Sequence, residues 1–226
     1  MKNIVVLTGA GMSAESGIKT FRDADGLWEG YDVMEVASPE GWYKNQELVL
    51  DFYNQRRKQL FQVKPNKAHK LLAQLEDKYH LDIITQNVDD LHERAGSKNV
   101  LHLHGELLKV RSTTNENLVY TWTKDLNLGD KCETGSQLRP HIVWFGEAVP
   151  MLNLAIEITK EADILVIIGT SMQVYPAASL IHYIKNDTPV YFIDPKPNIN
   201  DSSFENITIY AEKASIGVEN LIRALN

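Results

Sequence analysis

Short runs of branched aliphatic residues constrain this chain most. Residues 4–7, Ile164–Ile168 and Val190–Ile193 are continuous apolar segments, residues 81–85 are interrupted by Asp82, and Ile207–Tyr210 is a weaker fifth. A strand with one wet face alternates apolar with polar; an unbroken run suits a strand covered on both faces, as in a parallel sheet. Helical patterns fall between these runs. Asn66 stands where an N-cap belongs, ahead of Leu71, Leu72 and Leu75 at helical spacing. Residues 47–61, Leu152–Lys160 and residues 218–225 are further helix candidates. Strand–helix alternation predicts an α/β fold, a doubly wound parallel sheet with helices on both faces.

Two stretches fit this scheme poorly. Residues 20–43, rich in Gly, Asp and aromatic side chains, are expected to form a long functional loop. Residues 111–138 are polar and carry turn signals, which suggests a small inserted module. A length of 226 residues suits one large domain with such an insert. The longest apolar runs are far too short to span a bilayer, and no secretory signal is visible, so a cytoplasmic protein is expected. A net charge of −7 argues against a nucleic-acid binder, which needs a basic surface, yet suits lysine-bearing substrates. With one cysteine, Cys132, the chain can form no internal disulfide and no cysteine-based metal cage.

The first strand runs into Thr8-Gly9-Ala10-Gly11-Met12-Ser13-Ala14. Gly9, Gly11 and Ala14 satisfy the loose dinucleotide fingerprint, in which glycines let the backbone approach a pyrophosphate. The same residues would also serve an ordinary tight turn. The acidic residue usually sought about 20 positions on would fall in the irregular loop near Glu29, so this is not a standard dehydrogenase arrangement. Gly169-Thr170-Ser171 ends another strand and Asp194 a third, where open α/β sheets collect ligands. Asp194 is suited to ribose hydroxyls, or equally to a turn before Pro195.

Longer strings are more specific. Gly9-Ala-Gly-Met-Ser-Ala-Glu-Ser-Gly-Ile-Lys-Thr-Phe-Arg22, Thr85-Gln-Asn-Val-Asp-Asp-Leu-His92, Leu103-His104-Gly105, Pro140-His-Ile-Val-Trp-Phe-Gly-Glu147 and Gly169-Thr-Ser171 follow in order. Together they closely resemble the sirtuin family, from first strand to last helix. The resemblance implies one catalytic unit over 1–226. Its Rossmann-like part would span about 1–19, 66–108 and 140–226, its small helical and loop part about 20–65, and a polar insert at about 109–139. It implies NAD as a consumed cosubstrate, and acyl-lysine proteins or peptides as partners. No nucleic acid or membrane partner is implied. By this similarity Gly9, Ala10, Gly11, Glu15, Thr20, Phe21, Arg22, Trp28, Gln86, Asn87, Val88, Asp89, Gly169, Thr170, Ser171, Asp194 and Ala214 would line the NAD site. Val143, Phe145, Gly146 and Glu147 would meet the substrate. Lys19 and Asp194 stand where many members have proline and asparagine.

The chemistry fits these residue types. The bond from ribose to nicotinamide must break, leaving positive charge on the sugar. Asn87 and Asp89 are suitably polar for that pocket, and Phe21 is suited to shield the reactive carbon from water. A base must then activate a ribose hydroxyl, a task for a histidine near neutral pH. Seven histidines are available, and position alone does not choose between them. The resemblance selects His104; His102, two residues earlier, can share its face of a strand.

Tyr53 and Arg56 lie three apart on a probable helix and so are neighbours on one face. The charge pattern alone reads as a solvated basic face, since Arg57 and Lys58 follow. The Tyr-x-x-Arg pair nevertheless resembles the acyl pocket of the sirtuin branch that removes succinyl and malonyl groups; a guanidinium fork and a phenol suit a carboxylate. Sirtuins usually hold zinc with two cysteine pairs. Here Val110-Arg111-Ser112-Thr113-Thr114-Asn115 stands at the first pair and Lys131 and Thr134 at the second, with Cys132 out of place. A metal-free insert is expected, packed by Leu118, Val119, Tyr120, Trp122, Leu126 and Leu128, with no role for Cys132. Two other functions stay open: an NAD or ADP-ribose sensor without turnover, and ADP-ribosyl transfer to protein. The set of His104, Asn87 and Asp89 favours the enzyme, because simple binding needs no such polar group.

Overall fold

A computed structural model describes residues 1–19, 27–197 and 206–225. Six parallel strands form the main sheet: β1 (Asn3–Thr8), β4 (His80–Thr85), β5 (Val100–His102), β9 (Ile164–Ile168), β10 (Val190–Ile193) and β11 (Ile207–Tyr210). Their order across the sheet is β11-β10-β9-β1-β4-β5. The chain thus winds outward from β1 in one direction and then in the other, and the switch point lies beside the end of β1, where such sheets bind ligands. The expected doubly wound α/β fold is present.

The unbroken apolar runs are explained by burial on both faces. Along β1, Ile4 and Val6 enter one core with Met12, Leu72 and Leu81, packed under α5 (Lys67–Leu75) and α8 (Ala214–Leu225). Val5 and Leu7 enter the opposite core with Leu103, Ala155 and Phe192, under α7 (Leu152–Lys160) and a 3-10 helix over Ala177–Tyr183. Asn66 caps α5 as expected, accepting from the N–H groups of Ala68 and His69.

The helix expected over 218–225 starts earlier, at Ala214. Its first turn carries no apolar stripe. Instead Gly217 lies so close to Ile193 that an added Cβ would overlap that side chain, a packing constraint no periodicity reveals.

The presumed long loop is also more ordered than expected. After the short α1 (Ala10–Ala14), residues 20–26 lie outside the described part. The chain then forms a hairpin of β2 (Leu27–Trp28) and β3 (Tyr31–Asp32), followed by α2 (Val33–Val36), α3 (Pro39–Lys44) and α4 (Gln46–Gln62). Asp32 and Ser38 cap α2 and α3 through their side-chain oxygens. These elements are too short for a periodic signal.

A second sheet, antiparallel in order β7-β6-β8, holds β6 (Gly105–Ser112), β7 (Val119–Thr121) and β8 (Leu138–Ile142). It packs with α4 around Phe52, Tyr53, Val110, Leu126, Cys132 and Trp144. Two apolar residues expected in this core are outside it. Val119 is exposed, because alternation along β7 points Tyr120 inward instead, and Leu128 is exposed in a turn. No described helix is long and apolar enough to cross a membrane.

Candidate active site

The glycines at the switch point interlock. The Gly11 N–H donates to the Gly169 carbonyl at 2.8 Å, and the Gly9 N–H to the Ile168 carbonyl at 3.0 Å. A Cβ on Gly9 would stand 2.8 Å from Thr170 Cβ, and one on Gly11 2.6 Å from Gly169 Cα. Gly169 itself has φ +63°, and a Cβ there would strike Met12 N at 2.3 Å. The loops after β1 and β9 are therefore pressed together, and only bare backbone fits between them. Such a cradle suits a pyrophosphate.

The segment after β4 joins this cradle through a buried polar network. Thr8 Oγ1 donates to Thr85 Oγ1 at 2.8 Å, which also accepts from the Asn87 N–H. Ser13 Oγ donates to Asp89 Oδ2 at 2.9 Å and accepts from Asn87 Nδ2 at 3.1 Å. Ser13 was absent from the residues expected in the site. Its only signal was its place in the Gly9–Arg22 string, since a lone serine on a short helix carries no periodic mark. Burial pushes the Asp89 carboxyl above its usual range, against the Leu91 N–H, the Ser13 hydroxyl and the nearby His102. Gln86 Nε2 donates to Thr170 Oγ1 at 3.2 Å, closing the ring from β4 to β9. Val88 holds β6 by accepting from the Leu107 N–H.

His104 follows β5. Its Nδ1 lies 3.1 Å from the Gln86 carbonyl oxygen, which can only accept. Nδ1 therefore carries the proton and Nε2 the lone pair, the tautomer a general base needs. Burial holds this imidazole below the usual histidine range, against the raising effect of the Gln86 carbonyl.

The remaining expected residues fall around this centre. Glu15 accepts from the Ser215 N–H and hydroxyl, which ties the first loop to the start of α8 beside buried Ala214. Ala10 opens α1 and Ser171 follows Thr170. Asp194 is buried after β10, and its Oδ1 accepts from the Lys196 N–H, which makes it at least a turn residue. Thr20, Phe21 and Arg22 lie outside the described residues.

Trp28, expected at the NAD site, lies edge-on to Phe52 of α4, with ring centroids 4.8 Å apart. With Arg56, Val88 and Asp89 it lines a cavity of about 50 Å³. Arg56 and its neighbour Arg57 behave differently. Arg57 is fully buried and donates to the Leu107 carbonyl and to Asn54 Oδ1; burial lowers it to about 10 despite nearby Asp125. Arg56 lines the cavity, and its buried Nε and Nη1 have no hydrogen-bond partner among the described residues. The Tyr53 hydroxyl accepts from Trp144 Nε1 at 3.0 Å, so its own proton is left to donate.

The Val143 N–H donates to the His104 carbonyl, and the Phe145 N–H to that of Ala37. Phe145 is exposed and Gly146 has φ +89°. The Glu147 carboxylate turns inward and accepts from Arg111, Arg139 and the Trp144 N–H. Among the described residues, no group of three or more His, Cys, Asp or Glu side chains is placed to hold a metal ion.

The model of the Sir2 family matches residues 9–176, most of the chain and all of the loops just described up to β9 and beyond. The chain belongs to the Sir2 family. A relative from Helicobacter pylori (strain ATCC 700392 / 26695), named NAD-dependent protein deacylase, is 64% identical over 225 residues, covering 100% of this chain and 98% of that one. Another of that name, from Bacteroides thetaiotaomicron, is 54% identical over 232 residues, with 100% and 98% covered. Among solved structures, a Sir2 homologue–NAD complex superposes with a TM-score of 0.87 at 42% identity, covering 100% of this chain and 91% of that one. A mutant Sir2 homologue bound to ADP-ribose gives 0.89 at 42%, with 98% and 91% covered. The parallel sheet with its separate antiparallel sheet is the Sir2 architecture, and the resemblance read from the strings is real family membership.

Proposed function

We propose that this Sir2-family NAD-dependent protein deacylase prefers lysine side chains carrying acidic acyl groups, of succinyl or malonyl type, over simple acetyl-lysine. One observation carries the preference: Arg56 presents two buried guanidinium nitrogens, without a hydrogen-bond partner among the described residues, to a cavity beside Asp89, while the adjacent Arg57 keeps only Nη2 without one and is otherwise engaged by Leu107 and Asn54 inside the fold. A buried guanidinium without a partner costs several kcal/mol unless an anion completes it. A carboxylated acyl chain is such an anion; Tyr53, three residues earlier on the same helix, keeps its hydroxyl proton but lies behind the cavity lining, against Trp144.

The rest of the reading follows the site. The glycine cradle of Gly9, Gly11 and Gly169 would take the pyrophosphate, and Asn87 and Asp89, steadied by Ser13, the nicotinamide ribose. NAD, consumed as cosubstrate, would supply the sugar carbon to which the acyl oxygen bonds as the bond to nicotinamide breaks; with one water consumed, the products would be nicotinamide, the free lysine amine and 2′-O-acyl-ADP-ribose. His104 Nε2 takes the proton of a ribose hydroxyl. Phe21 would exclude water, and Val143, Phe145 and Gly146 would receive the peptide. The catalytic unit is the whole chain, with its insert at about 109–139 free of zinc. A cytoplasmic setting is part of the same reading.

The test is a panel of one peptide carrying acetyl, malonyl, succinyl or longer acyl groups, incubated with NAD and followed by nicotinamide release. Higher kcat/KM for the carboxylated groups is expected; a clear preference for acetyl would overturn the proposal. Nicotinamide release with mass gain on the peptide would point to ADP-ribosyl transfer instead.

A further inference from the structure

His102, at the end of β5, has both ring nitrogens engaged by oxygens that can only accept. Nδ1 lies 3.0 Å from the Asn87 carbonyl oxygen, and Nε2 lies 2.7 Å from Glu93 Oε1. A neutral imidazole has one N–H and cannot serve both. With Glu93 ionised, the geometry requires the imidazolium, whose side chain is only 8% exposed. We propose that His102 is a positioning residue: as an imidazolium bridging Glu93 to the Asn87 carbonyl, it holds the turn from Asn87 to Asp89 in its working geometry. This rests on the assignment of Asn87 and Asp89 to the nicotinamide-ribose pocket.

The surroundings support the charged form. Burial works against it, but the Glu93 hydrogen bond and charge, the Asn87 carbonyl and Glu106 outweigh burial and raise His102 above the usual histidine range. Glu93, raised by burial, is held below its usual range by His102 and, more weakly, by Lys109. From α6 (Leu91–Ala95), His92 also faces this charge; burial lowers it most, then the charge of His69, then that of His102. Asp89 feels it as an attraction, which partly offsets the cost of burying its carboxylate. Lys109 pairs with Glu106 and so adds little net charge. Losing the proton from His102 would set a lone pair against either the Asn87 carbonyl or the Glu93 carboxylate, and that end of the bridge would part. Turnover then gains an alkaline limb that belongs to His102, apart from the acid limb that belongs to His104.

Two measurements on the intact protein test this. In a side-chain nitrogen NMR titration without substrate, His102 should be doubly protonated at neutral pH, with a midpoint above the usual histidine value of about 6.5. In Glu93→Gln, the amide oxygen still accepts but carries no charge, so the midpoint should fall by at least about one pH unit. The alkaline limb of kcat should move down with it, while the acid limb stays in place. His102→Gln should lose that limb and about tenfold in kcat, a typical effect of misplaced positioning groups. A midpoint at or below 6.5 in the wild type, or a Glu93→Gln profile that overlays the wild-type one, overturns the proposal. The titration does not involve NAD chemistry, so its outcome is separate from whether Asn87 serves the ribose.

Discussion

Glu147 Oε1 accepts a 2.7 Å hydrogen bond from Arg139 Nη1, and the Arg139 guanidinium lies 3.3 Å from the centre of the Trp144 ring. Arg111 approaches the same carboxylate at 3.2 Å. Burial pushes the Glu147 carboxyl up, but hydrogen bonds from Arg139 and Trp144 and both arginine charges hold it below its usual range. One acid therefore bridges two buried arginines, offsetting one of their two charges, and fixes the loop that carries Phe145 and Gly146. Glu147→Ala should destabilise the protein by about 3–5 kcal/mol, the usual result of leaving buried charge unpaired. Urea unfolding measures it, and a loss under about 1 kcal/mol would show the cluster to be solvated.

His104→Ala should lower turnover about 10²–10⁴-fold while NAD binding survives, as for loss of a general base. The base must be unprotonated, and burial lowers its pKa. The acid limb of the kcat/KM profile should therefore lie below the ordinary histidine value of about 6.5. Near-normal turnover in a folded variant would remove His104 from the mechanism.

His69 and His92 pack edge-on, with ring centroids 4.8 Å apart, and both are fully buried. Burial lowers His69 from 6.5 to about 4 and also lowers His92 well below the ordinary histidine value, where the charges of His69 and His102 add to it. Unfolded, each ring takes a proton near 6.5; folded, His69 takes one only near 4. In that window the unfolded chain binds more protons, so stability is full above about pH 6.5 and falls as pH drops. His69 alone accounts for about 3 kcal/mol of that loss. Denaturant midpoints measured across the window check the slope. A flat profile would show that the pair protonates within the fold.

Arg56→Met should reduce desuccinylation at least about 10²-fold while deacetylation changes little, because only the carboxylated chain loses a buried charge-assisted contact. An equal fall in both activities would make Arg56 a structural residue and leave the acyl preference without a basis.

At the position of the family's zinc module, Cys132 Sγ lies 3.4 Å from Ser112 Oγ and 3.1 Å from Thr134 Oγ1, and Thr114 Oγ1 lies 2.6 Å from Ser136 Oγ. Hydroxyl groups, one thiol and packing around Leu126 hold the strands together there. Activity and melting temperature should be unaffected by strong chelators, and Cys132→Ser should cost less than about 1.5 kcal/mol, as a near-isosteric change that keeps a hydrogen bond. Elemental analysis of protein purified without a histidine tag decides it: one zinc per chain, lost on chelation together with the fold, would refute the metal-free reading.

Much of the fold was legible because its signals are local. Unbroken aliphatic runs such as Ile164–Ile168 mark strands buried on both faces, and Asn66 marks a helix start wherever it stands. The hairpin at Leu27–Trp28 and the helices α2 and α3 were not legible, since two to six residues hold less than two periods of any pattern. Val119 and Leu128 misled because hydrophobicity does not say which side of a strand or turn faces inward.

The sequence by itself determined the class of sheet, the glycine turns and, through its ordered strings, the family. Tertiary structure alone decided which like residues do different work. Arg56 and Arg57 are chemically identical neighbours, yet α4 sends one to a cavity and the other into the Leu107 and Asn54 groups of the core. His102 and His104 sit two apart at one strand end, yet the first meets two acceptors, which only an imidazolium satisfies, while the second meets one, which a neutral ring satisfies. Charge state and availability depend on partners up to tens of residues distant in the chain, and only folding brings those partners within hydrogen-bonding reach.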